Sequence, residues 1–150
     1  MLGDLFPDVE RQSFVERHLT PGRVLYLFCG FTNPPKDKLL VLLYSSLTPL
    51  LFVINSRIHP FIQKHPELLK CQVVIRASDY DFLQHDSFID CSQVIEDFDE
   101  AAIKEQALGD VSRVRGELST DTKLEIIRAV QNAPTISKQN KTRIAAMLAG

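Results

Sequence analysis

Few residues in this 150-residue chain combine a reactive type with a spacing that would let them act together. The four histidines, His18, His59, His65 and His85, lack metal-ligand spacing, and the three cysteines, Cys29, Cys71 and Cys91, form no CxxC pair. No Walker loop, GxSxG, HExxH or GxGxxG is present. What remains is a set of polar groups at the ends of two apolar runs. Lys36, Asp37 and Lys38 precede the first run; Asn55, Ser56 and Arg57 follow the second. In an antiparallel pair those ends are neighbours. Ammonium, amide, hydroxyl and guanidinium would then meet at one rim of an apolar body, and function is expected at that rim.

The elements that must build the rim follow from the pattern. The runs, residues 39–44 and 50–54, have strand length and are split by a polar break of hairpin-loop length at 45–49. Neither alternates, so both faces of each strand should be covered. Residues 1–20 predict a short amphipathic helix with Pro7 in its first turn, stopped by Pro21-Gly22. RVLYLFCGF (23–31) predicts a strand, and TNPPKDK (32–38) a loop, because paired prolines fit neither a helix nor a central strand. Two His-Pro pairs, at 59–60 and 65–66, mark an ordered excursion of about one helical turn. CQVVIRA (71–77) and SFIDCSQV (87–94) predict strands, and the acidic run 96–105 a solvated helix face. Residues 109–118 predict a turn region.

A helix is expected over 122–132, with Thr122 and Glu125 at capping-box spacing, and a second over 138–148 capped by Ser137. Strands joined by hairpins and loops rather than crossover helices imply an α+β antiparallel barrel with helical decoration. One domain is expected over residues 1–150, with a barrel at about 21–118 and C-terminal helices at about 119–150.

Composition is that of an ordinary globular protein with a net charge of −2. The charge is uneven: +3 over residues 1–76, −8 over 77–120 and +3 over 121–150. Such asymmetry allows a basic face on a mildly acidic protein. An odd number of cysteines in apolar contexts implies reduced core thiols and a cytoplasmic location. No run is long enough to span a membrane, and the N-terminus does not have the character of a signal peptide.

Placed in order, these pieces resemble the MazF/PemK/CcdB-type toxins of type II toxin–antitoxin pairs. The resemblance rests on Pro21-Gly22-Arg23 at the first strand, Lys38 before LLVLL, LLFVIN before Ser56, the segment DSFIDCSQVIEDF, and GELSTDTKLEIIRAV as the closing helix. It covers roughly residues 21–132; the ordered set carries it rather than any one motif.

The resemblance implies a small SH3-like antiparallel barrel, a homodimer, a cognate antitoxin as partner, and cofactor-free, metal-independent cleavage of single-stranded RNA. It implies Lys38, Asn55 and Ser56 as catalytic residues, with lysine where the family carries arginine. Lysine meets phosphorane charge as a point charge rather than a bidentate clamp. Lys36, Arg57 and Arg76 would track the RNA backbone, and His59 would transfer protons. Two other readings of the residues stand beside it. One is a non-catalytic SH3-like module binding RNA or protein at the same rim. The other is a DNA-binding regulator, in which Lys138, Gln139, Asn140, Lys141 and Arg143 of the C-terminal helix pair face a groove.

Overall fold

Three strands laid down in succession make the centre of the sheet: β1 (Arg23–Cys29), β2 (Lys36–Tyr44) and β3 (Leu50–Asn55). The computed structural model describes residues 2–150, and side chains from Asp8 onward. The hairpin expected from the two apolar runs therefore forms, and its first strand starts earlier than expected. Residues 36–38 are strand rather than loop, because Cys29, Phe28 and Leu27 of β1 pair with Lys36, Asp37 and Lys38.

Helix α1 (Leu2–His18) precedes the sheet. Pro7's expected role in its first turn lies outside the described side chains. The Pro21-Gly22 stop is built as a turn: Gly22 has φ +90, a conformation that suits glycine, and its N–H donates to Leu42 O at 2.7 Å. The His-Pro excursion forms two single helical turns, α2 (Pro60–Gln63) and α3 (Pro66–Leu69). Then come β4 (Gln72–Ile75), β5 (Ser87–Asp90) and α4 (Glu100–Gly109). The segment expected as a turn region holds a 3₁₀ turn at Val111–Arg113 and then a sixth strand, β6 (Val114–Glu117). Its four residues, VRGE, carry no strand pattern of their own; pairing with β1 makes them a strand. Helices α5 (Thr120–Asn132) and α6 (Lys138–Ala149) close the chain. Among the described residues, no helix is long and apolar enough to cross a membrane.

The sheet runs β4-β5-β3-β2-β1-β6 with every neighbouring pair antiparallel. It curls into half a barrel and stays open: β4 and β6 are its two edges. The architecture is thus an α+β antiparallel sheet with helices at both ends.

The hairpin's lack of alternation is explained by two apolar layers. On one face Val41, Leu43, Leu50, Phe52 and Ile54 pack with Ile126, Ala129 and Val130 of α5 and Ile144 and Leu148 of α6. On the other, Leu40, Leu42 and Leu51 pack with Leu25 and Leu27 of β1, Ile103 and Ala107 of α4, and Val15 of α1. Each fully buried leucine, isoleucine, valine or phenylalanine among these stabilises the fold by roughly 1.5–3 kcal/mol. The acidic run divides in the same way, with Ile103 and Ala107 turned inward while Glu100 meets Lys104 at 2.8 Å on the outside.

Candidate functional site at the polar end of the hairpin

Where β2 begins and β3 ends, the apolar layer gives way to polar side chains. Period-two alternation sets Lys36 and Lys38 on the face that carries Leu40 and Leu42, and Asp37 on the opposite face. Asp37 is held there by Arg113, whose Nη1 donates to Asp37 Oδ1 at 2.9 Å and to Tyr26 O at 2.8 Å. The one carboxylate in the KDK run is therefore neutralised on the far side of the sheet.

Lys38 meets the other strand end as expected. Its Nζ donates to Asn55 Oδ1 at 2.8 Å. That bond fixes the amide so that Asn55 Nδ2 remains available to donate. Among the described residues, Lys38 has no carboxylate within salt-bridge distance. Its ammonium pKa is lowered, first because burial disfavours the charge and then by repulsion from Lys36. A half-buried cation whose direct partner is a neutral amide is poised to accept an anion.

Next to it lies Cys29, fully buried, its thiol pushed up to about 11 chiefly by burial although Lys38 opposes the shift. Cys29 is thus a core thiol and not a thiolate nucleophile. Cys71 and Cys91 are buried, free, and raised by burial in the same way.

The remaining expected residues divide. Ser56 and Arg57 follow Asn55 directly and are exposed, as is Lys36. His59 caps α2: its Nδ1 accepts from Phe61 N–H at 3.1 Å, which puts the neutral ring's proton on Nε2. Arg76 lies at the far end of the sheet from Lys38, past β4. It lines a groove of about 960 Å³ between the two sheet edges, with Tyr80, Phe82 and the start of α5. In the C-terminal helix pair, Lys141 Nζ donates to Gln131 O at 3.0 Å and Arg143 stacks over Tyr44. Two of the five polar residues considered for a DNA groove are therefore engaged within the protein.

The rim also has members that sequence reasoning missed. Strand β5 lies beside β3 with Phe88 opposite Asn55, and β4 lies beside β5 with Val74 opposite Phe88. The β2–β3 register, continued one residue past Leu39–Ile54, sets Lys38 opposite Asn55. Directly opposed residues share a face. Lys38, Asn55, Phe88 and Val74 therefore form one row across four strands. The apolar layer under α1 and α4 takes residues from β1, β2, β3 and β6 and none from β4 or β5. Phe88 is accordingly half-buried and Val74 is 51% exposed. One pleat along the same face, Gln72 of β4 opposes Asp90 of β5. The alternation in SFID, with Ser87 and Ile89 buried and Phe88 and Asp90 outward, was a signal for the facing but not for the strand neighbours.

Among the described residues, no three His, Cys, Asp or Glu side chains gather as a metal site requires. The row can bind an anion at Lys38–Asn55 and a flat apolar group at Phe88. No protein-family model matches the sequence and no curated protein compared with it matches, so what the rim does has to be argued from its own geometry.

Proposed function

We propose that the protein is an endoribonuclease that cleaves single-stranded RNA at the Lys38–Asn55 rim, on an SH3-like relative of the MazF/PemK-type toxins. The observation that carries this reading is the bond from Lys38 Nζ to Asn55 Oδ1 at 2.8 Å, at the polar end of an otherwise apolar hairpin. It supplies a cation with no carboxylate partner among the described residues and an oriented amide donor side by side.

RNA carries its own nucleophile. The 2′-oxygen attacks the adjacent phosphorus, the P–O5′ bond breaks, and the products are a 2′,3′-cyclic phosphate and a 5′-hydroxyl. The 2′-hydroxyl proton passes to solvent and the departing 5′-oxygen takes one from solvent; His59 relays that exchange only when its Nδ1 has released the Phe61 N–H. The protein's work is to orient the strand and to neutralise charge on the phosphorane. Lys38 meets that charge, Asn55 Nδ2 and the Ser56 hydroxyl hold non-bridging oxygens, and Lys36 and Arg57 hold flanking phosphates. A homodimer and a cognate antitoxin belong to the same reading.

The test is cleavage of an end-labelled single-stranded RNA pool by purified protein. Lys38→Ala is expected to slow cleavage by about 100- to 1000-fold, the usual loss for one transition-state donor. Lys38→Arg should retain activity, and cleavage should persist in excess chelator, because the chemistry uses the chain's own groups. Cleavage that needs added metal, or that survives Lys38→Ala and Asn55→Ala unchanged, would refute the mechanism. Retained RNA binding with no cleavage would leave a binding module at this rim.

A further inference from the structure

We infer that Phe88, Gln72 and Asp90 form a nucleobase subsite beside the Lys38–Asn55 pair, selective for bases that carry an exocyclic amino group. This rests on the RNA reading above and specifies its substrate.

The placement comes from register. Lys38 on β2 and Phe88 on β5 share a face two strands apart, about 10 Å between backbones at the usual strand spacing. A lysine side chain covers much of that distance, and what remains suits the phosphate and base of one nucleotide. The layer under α1 and α4 takes nothing from β4 or β5, and α3 meets this face where Leu68 O accepts from Gln72; the Phe88 ring is half-buried beside exposed Val74. A partly exposed aromatic on a sheet face is the kind of surface on which unpaired bases stack.

The hydrogen-bonding capacity beside the ring is one-sided. Asp90 Oδ1 accepts from Gln72 Nε2 at 2.8 Å, from Ser92 N at 3.0 Å and from Ser92 Oγ. Gln72 Nε2 also donates to Leu68 O at 3.3 Å. Both donor directions of the Gln72 amide are thus used internally. Asp90 Oδ2 and Gln72 Oε1 have no donor among the described residues and remain as acceptors.

Two acceptors beside a stacking ring favour a base edge rich in N–H groups. Guanine offers N1–H and its 2-amino group, cytosine its 4-amino group and adenine its 6-amino group. Uracil offers a single N3–H flanked by two carbonyl oxygens, which would face the acceptors. The ring supplies affinity and the acceptor pair supplies the discrimination.

The experiment measures fluorescence anisotropy of the whole protein with labelled, uncleavable 2′-O-methyl oligonucleotides of cytosine, adenine or uracil. Wild type should bind the cytosine and adenine strands more tightly than the uracil strand. Phe88→Leu, which keeps an apolar side chain but has no ring, should weaken binding of all three by about 5- to 150-fold, the range expected for one lost stack. Phe88→Tyr should restore it. Asp90→Asn keeps an oxygen for the Ser92 donors and can present an N–H in place of Oδ2, so it should erase or reverse the preference against uracil. Binding that is blind to base and unaffected by Phe88→Leu would overturn the subsite while leaving the RNA reading standing. Failure of the wild type to bind any of the strands would overturn both.

Discussion

Lys38 holds its charge where the surroundings oppose it. Burial and the neighbouring Lys36 lower its pKa in the folded protein, so between that value and the ordinary 10.5 the unfolded chain binds the extra proton. Stability therefore rises with pH across that window, and at neutral pH the ionised side chain is a net cost. Lys38→Met, similar in length and uncharged, should raise the melting temperature at pH 7 while slowing cleavage. Its advantage should shrink as pH climbs toward 10.5. A melt series over pH reads this directly, and a variant less stable than wild type at pH 7 would contradict it. A residue that weakens the fold and serves a site follows a known pattern of trade-off. Lys38 and Asn55 were legible in the sequence because each ends a long apolar run. Phe88 and Asp90 were not, because nothing within SFID or VVI says that those two segments lie beside each other and beside β3.

The elements carry a similar contrast at α5. Spacing points to Thr122 and Glu125 as a capping box, yet the cap is Ser119, whose Oγ accepts from Thr122 N–H at 3.2 Å. Thr122 is buried instead, and its hydroxyl meets Tyr80 OH at 2.7 Å. Tyr80 OH also accepts from Ser119 N–H at 3.0 Å, so the helix start is tied to a loop 39 residues away in sequence. That tertiary contact shifts the helix start by two residues and is invisible to local spacing. Ser119→Ala should destabilise the protein by about 1 kcal/mol, within the usual range for a lost cap; a urea melt checks it, and Thr135→Ala tests a hydroxyl that caps no helix. The second helix went as expected, with Ser137 Oγ accepting from Asn140 N–H at 3.2 Å. Its cap has no competing long-range partner. Strand β6 escaped notice because Gly116 sits in its middle, and glycine ordinarily argues against a strand. Here the Phe82 ring lies where a side chain would go: a Cβ on Gly116 would meet it at 3.1 Å.

For the molecule as a whole, the class and the element order were legible, and the closure was not. Unbroken apolar runs correctly implied strands covered on both faces, but whether a curled sheet closes depends on its first and last strands, β4 and β6. Both are only four residues long, and a groove separates them. The covering of the central meander comes entirely from outside it. Ile103 and Ala107 lie over one face, and Ile126, Val130, Ile144 and Leu148 over the other. A fragment of residues 1–94 should therefore form strands that lack most of their cover, bind hydrophobic dyes and sediment as aggregate, whereas the full chain stays dispersed. A dispersed fragment with dispersed cooperative unfolding would show that the meander needs less cover than the packing indicates.

The two-sided covering also sets an order of events during synthesis. The ribosome delivers β1, β2 and β3 first, and every helix that packs on them except α1 last. At roughly 5–20 residues per second, the nascent meander waits some seconds with one face bare and the other covered only by α1. A slow stretch of translation after residue 94 would lengthen that exposure, and a chaperone that shields sheet faces would meet this chain early.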